Sequence, residues 1–437
     1  MTRQELYETG KSILSFAHWR NRLVFWCGAI VVGMIAAGFA YISDYAQKLF
    51  ADMASAHRLL PLAISPLILG LTGWLTARFC PNAVGSGIPQ AIAARVADTH
   101  EERSALLGWR VLIGKIVLTA MGLLGGASIG REGPTVQIGA ALLYWGGYLG
   151  KMNAEMSRSV ILAGAGAGIA AAFNTPLAGI VFAIEEMARA FEYRYSSVVL
   201  TAIVFAGASS LSILGNYSYF GYADGGYDIG RDFVAIGVIG VLGGLLGGLF
   251  ARALIDGGKH FYDFCRKRHF HHPFLFAAVC GLIIAGFGLV TNGATYGSGY
   301  EQARAMLQGQ DTGAWFYTVA KFITTTVSGF CGIPGGIFSP SLSVGAGFGS
   351  TMSLLFPAMP VAGAVLLGMT AYFSGVTQAP ITAFIIVLEI SGRESLPVPL
   401  IAAAVIASAV SRLICPISLY HELAKQFIAQ EKAAHLE

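Results

Sequence analysis

GREGPTVQIGA occupies Gly130–Ala140, and GIFSPSLSVGA occupies Gly336–Ala346, 206 residues later. Both follow one template: a glycine, a proline four residues on, and a closing [Ile/Val]-Gly-Ala. Glycine permits a sharp chain entry, and proline is favoured in the first turn of a helix. Each phrase therefore predicts a turn that opens a helix, with Glu132 the one acid in either copy. Three further anchors recur in the same order. Gly85-Ser-Gly-Ile-Pro-Gln90 matches Gly297-Ser-Gly-Tyr-Glu-Gln302, and Leu162-Ala-Gly164 matches Leu366-Leu-Gly368. Pro176 precedes Glu185 by the same spacing that separates Pro380 from Glu389. Collinear anchors in this number predict a duplicated half of about 205 residues.

The rest of the chain says where such halves would live. Of its 437 residues 55% are hydrophobic and only 12% charged, against roughly 25% charged in soluble proteins. Mean hydropathy is +0.64. This balance predicts an all-α polytopic membrane protein in the lipid bilayer, with a dozen or so segments at roughly 20 apolar residues per crossing. The 56 glycines suit closely packed or interrupted helices, since small residues let backbones approach. A net charge of +4 predicts no nucleic-acid partner. The six cysteines carry no CxxC pair and read as reduced core residues, so no metal or other cofactor is expected. No G-x-x-x-x-G-K-[ST] phrase occurs, so no ATP drive is expected. The N-terminal segment is too polar for a cleaved signal peptide.

Loop charges set the relation between the halves. Arg3, Lys11, Arg20 and Arg22 precede the first apolar run, Leu23–Ser43, and that end reads as cytoplasmic. The corresponding second-half run, Phe233–Ala251, follows an acidic loop with Asp224, Asp228 and Asp232 and precedes Arg252, Lys259, Arg266, Lys267 and Arg268. One helix runs outward and its counterpart inward. The expected architecture is an inverted-topology repeat of tilted and half-spanning helices with a site near the midplane. Its parts are a cytoplasmic segment (1–22), repeat 1 (23–223), inverted repeat 2 (224–420) and a short cytoplasmic tail (421–437).

Three glycine phrases then carry the chemistry: Gly85-Ser86-Gly87-Ile88-Pro89, Gly130-Arg131-Glu132-Gly133-Pro134 and Gly336-Ile337-Phe338-Ser339-Pro340. Each predicts a helix N-terminus, which offers free N–H groups and about +0.5 of an elementary charge, a ready anion site. In an inverted repeat the two copies of the longer phrase converge from opposite sides. The stretch from Phe322 to Leu388 has no Lys or Arg, so an anion there would be held by dipoles, amides and hydroxyls, tightly enough to enter and weakly enough to leave. Ser86 can donate its hydroxyl, and Ile337 and Phe338 their backbone N–H groups. Glu132 stands where the anion would stand. Ionised, it can take the anion's place; protonated, it loses its charge and can swing aside. That competition links protons to anions.

GSGIP, GREGP and GIFSP, in this order and spacing, closely resemble the chloride channel/transporter family (CLC), over about Leu23 to Tyr420. The resemblance implies an inverted-repeat helical fold and a homodimer with a separate pore in each subunit, carrying chloride and protons across the inner (plasma) membrane. It makes Ser86 the filter serine, Glu132 the external gating glutamate, and Ile337 and Phe338 the amide donors. Gly87 and Ile88 join the anion site. Tyr420, in Pro416-Ile-Ser-Leu-Tyr420, looks like the inner tyrosine that touches the ion. The family holds both passive channels and proton-coupled antiporters. A second acid on the inner proton path is typical of the antiporters, and Glu186 falls at that position, with Glu185 as a polar neighbour and Glu389 structural. This favours H⁺/Cl⁻ exchange, with a passive gated channel as the alternative. The fluoride-selective branch departs from the filter serine and nitrate-preferring plant members carry proline there, so Ser86 favours chloride. Only a short tail follows Tyr420, without the regulatory domains of many eukaryotic relatives, which suggests a prokaryotic protein.

Other readings are weaker. Glu132 could merely pair with Arg131. Gly126-Ala-Ser128-Ile-Gly130 matches the G-x-S-x-G phrase of hydrolases. An intramembrane serine hydrolase would need a histidine at membrane depth, and none of the nine falls in an uncharged span. The protein is therefore expected not to be an enzyme. His269, His271 and His272 belong to a basic loop rather than a metal site.

Overall fold

The computed structural model describes residues 16–188, 196–215, 229–257, 260, 272–310, 313–391 and 397–434. Asp224, Asp228, Lys259, the Arg266–Arg268 cluster, His269 and His271, along with Arg3 and Lys11, lie outside the described residues. So do the boundary expected at 223/224 and the last three residues of the tail.

The described residues are helical throughout, apart from short turns and two isolated backbone bridges. Among the described residues seven helices are long and apolar enough to cross a membrane, including Pro61–Phe79, Pro273–Val290 and Pro397–Ile414. The first helix, Phe16–Ala56, has 41 residues, twice the expected Leu23–Ser43 span. At 1.5 Å per residue it is about 60 Å long, so it must tilt or project beyond a hydrocarbon layer of about 30 Å.

Elsewhere the helices break at the glycine phrases. Trp109–Leu124 stops at Gly125, and a short turn leads to Glu132–Leu149. Ala314–Phe330 stops in the same manner before Phe338–Leu355. The GSGIP phrase opens a helix of only nine residues, Ile88–Val96, shorter than its proline-free sequence suggests.

The repeated anchors have physical causes. Gly139 lies on the Glu132 helix, and Gly164 on the next helix, Ala154–Phe173; a Cβ on either would run into the other's carbonyl oxygen. Gly345 and Gly368 make the same approach between Phe338–Leu355 and Val361–Thr377. Small residues at these crossings bring helix backbones into contact. Asn174 and Gln378 end the second helix of each pair in left-handed conformation, with φ of 60° and 58°. Two residues later Pro176 and Pro380 open the next helices, Pro176–Phe182 and Pro380–Ile390. Proline at that position needs no N–H and carries a helical φ already.

Candidate functional site: convergent helix ends around Glu132

Gly130 N–H donates to Gly336 O at 2.7 Å, and Gly336 N–H returns a bond to Gly130 O at 2.8 Å. The two template phrases thus meet antiparallel at their equivalent first glycines. The GSGIP loop joins them: Gly85 N–H donates to Ile333 O at 3.0 Å and accepts at its carbonyl from Gly335 N–H at 2.9 Å. Gly87 takes φ 101° to turn the chain into the Ile88 helix, a conformation costly for any residue with a Cβ. The helix N-termini opened by Glu132-Gly133-Pro134 and Phe338-Ser339-Pro340 therefore meet, and the end opened by Ile88-Pro89 lies beside them.

Glu132 is fully buried. Its carboxylate reaches across to the other repeat, accepting from Ser339 Oγ at 2.6 Å and, at the long limit, from Ser339 N–H at 3.4 Å. The acid occupies the N-terminal end of the Phe338 helix, where first-turn N–H groups lack intrahelical acceptors. The neighbouring Arg131 guanidinium reaches Asp44 at 2.7 Å and Ala40 O at 3.0 Å. On that side a cavity of about 1060 Å³, lined by Asp44, Lys48, Arg58, Arg131 and Glu301, reaches Glu132.

Beside this acid stand two hydroxyls. Ser86 Oγ sits where a side chain on Gly133 would be. Tyr420 is fully buried at the start of the Leu419–Ala434 helix. Neither hydroxyl has a hydrogen-bond partner among the described residues. Phe338 packs its ring against Phe373 (4.7 Å between centroids) and Tyr420 (5.9 Å), so its side chain walls the site while its backbone faces the helix end. Ile337 and Ile88 are buried at the same ends.

Glu186 lies in a π-helical turn, Ala183–Ala188, and is 4% exposed at its side chain. Its Oε1 is 3.5 Å from His421 Nδ1, one residue beyond Tyr420. Glu185, read from sequence only as a polar neighbour, has a definite partner. It accepts from Ile381 N–H at 3.1 Å and Thr382 N–H at 2.6 Å, capping the Pro380 helix. Glu389 does the same in reverse, accepting from Leu177 and Ala178 N–H at 3.3 and 2.6 Å. Each repeat's glutamate caps a helix of the other.

Two lysines escape the sequence reading, one of them directly before the uncharged stretch that begins at Phe322. Lys115 and Lys321 are fully buried. Lys115 Nζ donates to Ala83 O and Gly85 O at 2.7 and 2.8 Å. Lys321 Nζ donates to Thr295 O and Gly297 O at 3.0 and 2.7 Å. The signal was present: they lie 206 residues apart, in register with the template phrases. The hydrolase alternative finds no support, because Ser128 Oγ is 2.8 Å from Thr325 Oγ1 and Ser128 N–H donates to Ser328.

A family model described as voltage gated chloride channel matches residues 67–412. The chain is 30% identical over 440 residues to the H(+)/Cl(-) exchange transporter ClcA of Yersinia pseudotuberculosis serotype IB (strain PB1/+), covering 93% of this chain and 87% of that one. It is 31% identical over 438 residues to ClcA of Salmonella paratyphi A (strain ATCC 9150 / SARB42), covering 92% and 88%. A slow cyanobacterial Cl-/H+ antiporter of known structure superposes with a TM-score of 0.83 at 25% identity, over 94% of this chain and 99% of that one. A CLC-type fluoride/proton antiporter shares the fold, with a TM-score of 0.79 at 22% identity over 93% and 98%.

Proposed function

This chain belongs to the voltage-gated chloride channel family, and on that premise we propose that it exchanges chloride for protons across a membrane, with the residues around Glu132 as the site of exchange. One observation carries the assignment. A lone carboxylate sits at the N-terminal end of a helix from the opposite repeat, held by Ser339, beside the unpartnered hydroxyls of Ser86 and Tyr420.

A halide needs donors and positive dipole ends. Ser86 and Tyr420 supply hydroxyls, and the Ile337-Phe338 turn supplies amides. Gly87 and Ile88 add a third helix end. These groups compensate for dehydration without a fixed cation in contact, so the ion can also leave. Ionised Glu132 competes for the same helix end. When it takes a proton it loses both its charge and its claim on those donors, and chloride can enter. Each exchange thereby ties a proton to the passage of chloride. Glu186, buried near Tyr420 on the side of the C-terminal helix, passes protons between water and Glu132.

Kinship supports a further part of this reading. The protein acts as a homodimer with one pathway per subunit, multi-pass in the inner (plasma) membrane, with both termini cytoplasmic. Its exposed apolar side chains, such as Leu413 at 83% and Leu354 at 76%, suit contact with lipid.

The test uses purified protein in liposomes. A chloride gradient is imposed and the pH is recorded. Protons driven against their own gradient are expected. In Glu132→Gln proton movement should vanish while chloride flux persists. Fast chloride flux with no proton movement in the unsubstituted protein would instead make it a passive channel, and undiminished proton pumping in Glu132→Gln would remove Glu132 from the site.

A further inference from the structure

We infer that His421 is a proton-relay residue that loads and unloads Glu186 from the water on the side of the C-terminal helix; this rests on the exchange function proposed above. Glu186 is itself nearly sealed, with a side chain 4% exposed, whereas the His421 side chain is 21% exposed and brings Nδ1 to 3.5 Å from Glu186 Oε1. Among the described groups it therefore bridges the buried acid and a wetter surface. The neutral imidazole pairs one N–H donor with one basic nitrogen, the chemistry a proton relay requires.

The helix geometry fixes the pairing. Tyr420 and His421 are consecutive in the first turn of Leu419–Ala434. Successive residues of a helix point about 100° apart, so one turn sends Tyr420 toward Ser86 and His421 toward Glu186. His421 Nδ1 also lies 3.4 Å from Ser418 Oγ, which steadies the ring. The other charged groups on the surrounding elements are placed differently. On its own helix, Glu422 is paired with Lys425 at 2.9 Å. The π-helical turn Ala253–Gly257, packed against this helix, carries Asp256, which pairs with Arg252 at 3.7 Å. The Ile88–Val96 helix brings Arg95, and the packed face of Val361–Thr377 brings no charged residue.

The step is a plain proton transfer. The imidazolium gives its Nδ1 proton to the Glu186 carboxylate: the N–H bond breaks, an O–H bond forms, and the ring is left neutral. A hydronium ion then returns a proton to the vacated Nδ1, leaving a water molecule and restoring the imidazolium. In the opposite transport direction the same transfer runs backward.

The experiment compares the unsubstituted protein, His421→Gln and His421→Lys in liposomes, recording chloride-driven proton flux and chloride flux between pH 5 and 8. Glutamine fills a similar space but does not titrate; lysine stays charged and does not release its proton near neutrality. Both should lower proton flux roughly tenfold and flatten its dependence on pH, while chloride flux continues and reports correct folding. If glutamine impairs folding, His421→Asn replaces it in the same comparison. Proton flux and a pH profile equal to those of the unsubstituted protein in His421→Gln would overturn the relay. Absence of proton movement in the unsubstituted protein would overturn the exchange function itself, a separate and recognisable result.

Discussion

Lys115 and Lys321 stand 206 residues apart and act alike, whereas Glu132 and Phe338 stand 206 residues apart and do not. Each lysine is buried and ties down two carbonyls of the loop that opens the next helix, Ala83 and Gly85 in one case, Thr295 and Gly297 in the other. Glu132 offers a titratable carboxylate; Phe338, at the equivalent place, offers an aromatic wall. The adjacent acids of the first repeat divide the same way. Glu185 has a counterpart, Glu389, and the two exchange helix caps. Glu186 corresponds to Ile390, and its partner, His421, comes from the C-terminal helix. The lysines and the Glu185/Glu389 pair, kept in both repeats, hold the frame, whereas Glu132 and Glu186, which have no acid opposite them, face the site.

The harshest way to break this comparison is to attack the shared frame. Lys115→Met and Lys321→Met each strand two buried carbonyls, and an unsatisfied buried polar group costs about 1–3 kcal/mol. A loss of about 3 kcal/mol is expected from either, with similar falls in the thermal unfolding midpoint in detergent. A large fall for one and none for the other would mean that the likeness of the two lysines is formal only.

The neighbouring acids sharpen the comparison with a milder effect. Glu185→Gln and Glu389→Gln keep an acceptor but lose the charge that strengthens each cap. Both residues are half-buried, and about 1 kcal/mol of stability should go from each. Glu186→Gln should leave the unfolding midpoint within error and abolish proton transport, with chloride flux retained. The reverse pattern, in which Glu186→Gln unfolds the protein and Glu185→Gln uncouples it, would exchange the roles assigned here.

How far these roles could be read beforehand depends on what a role requires. The template phrases were legible because a turn that opens a helix restricts residue type at several successive positions, Gly130 and Pro134 or Gly336 and Pro340. Convergence of the helix ends followed from the inverted halves, and Glu132 stood out as a charge that lipid would not tolerate. The reciprocal caps were not legible. A glutamate that bonds the backbone N–H groups of Ile381 and Thr382 asks nothing of those side chains, so nothing in the distant sequence marks the contact. The lysines were hidden because each is a single charge at the edge of an apolar run, where it reads as the end of a membrane span rather than as a buried donor. His421 was invisible for the same reason as the caps, since its partner is 235 residues away and the contact exists only once the C-terminal helix docks.

The smallest expected effect bears on the one position where the repeats differ and the site needs both versions. Gly133 and Ser339 correspond. At Gly133 the space for a side chain is filled by Ser86 Oγ; at Ser339 the residue's own hydroxyl donates to Glu132 at 2.6 Å. Ser339→Ala removes that donor and leaves the weaker N–H contact at 3.4 Å. A hydrogen bond to an ionised group contributes about 1.5–3 kcal/mol, but the free N–H groups of the helix end and entering water can recover part of it. A net loss of roughly 1 kcal/mol would shift the balance between the seated and displaced carboxylate about fivefold toward displacement. Because the seated carboxylate is what bars the anion, chloride flux should rise a few-fold, proton coupling should persist because the Glu132 carboxyl is still present, and the unfolding midpoint should barely move. Flux that stays level or falls would mean that Ser339 serves the ion rather than the acid, and that the hydroxyl at this helix end is a second filter donor opposite Ser86.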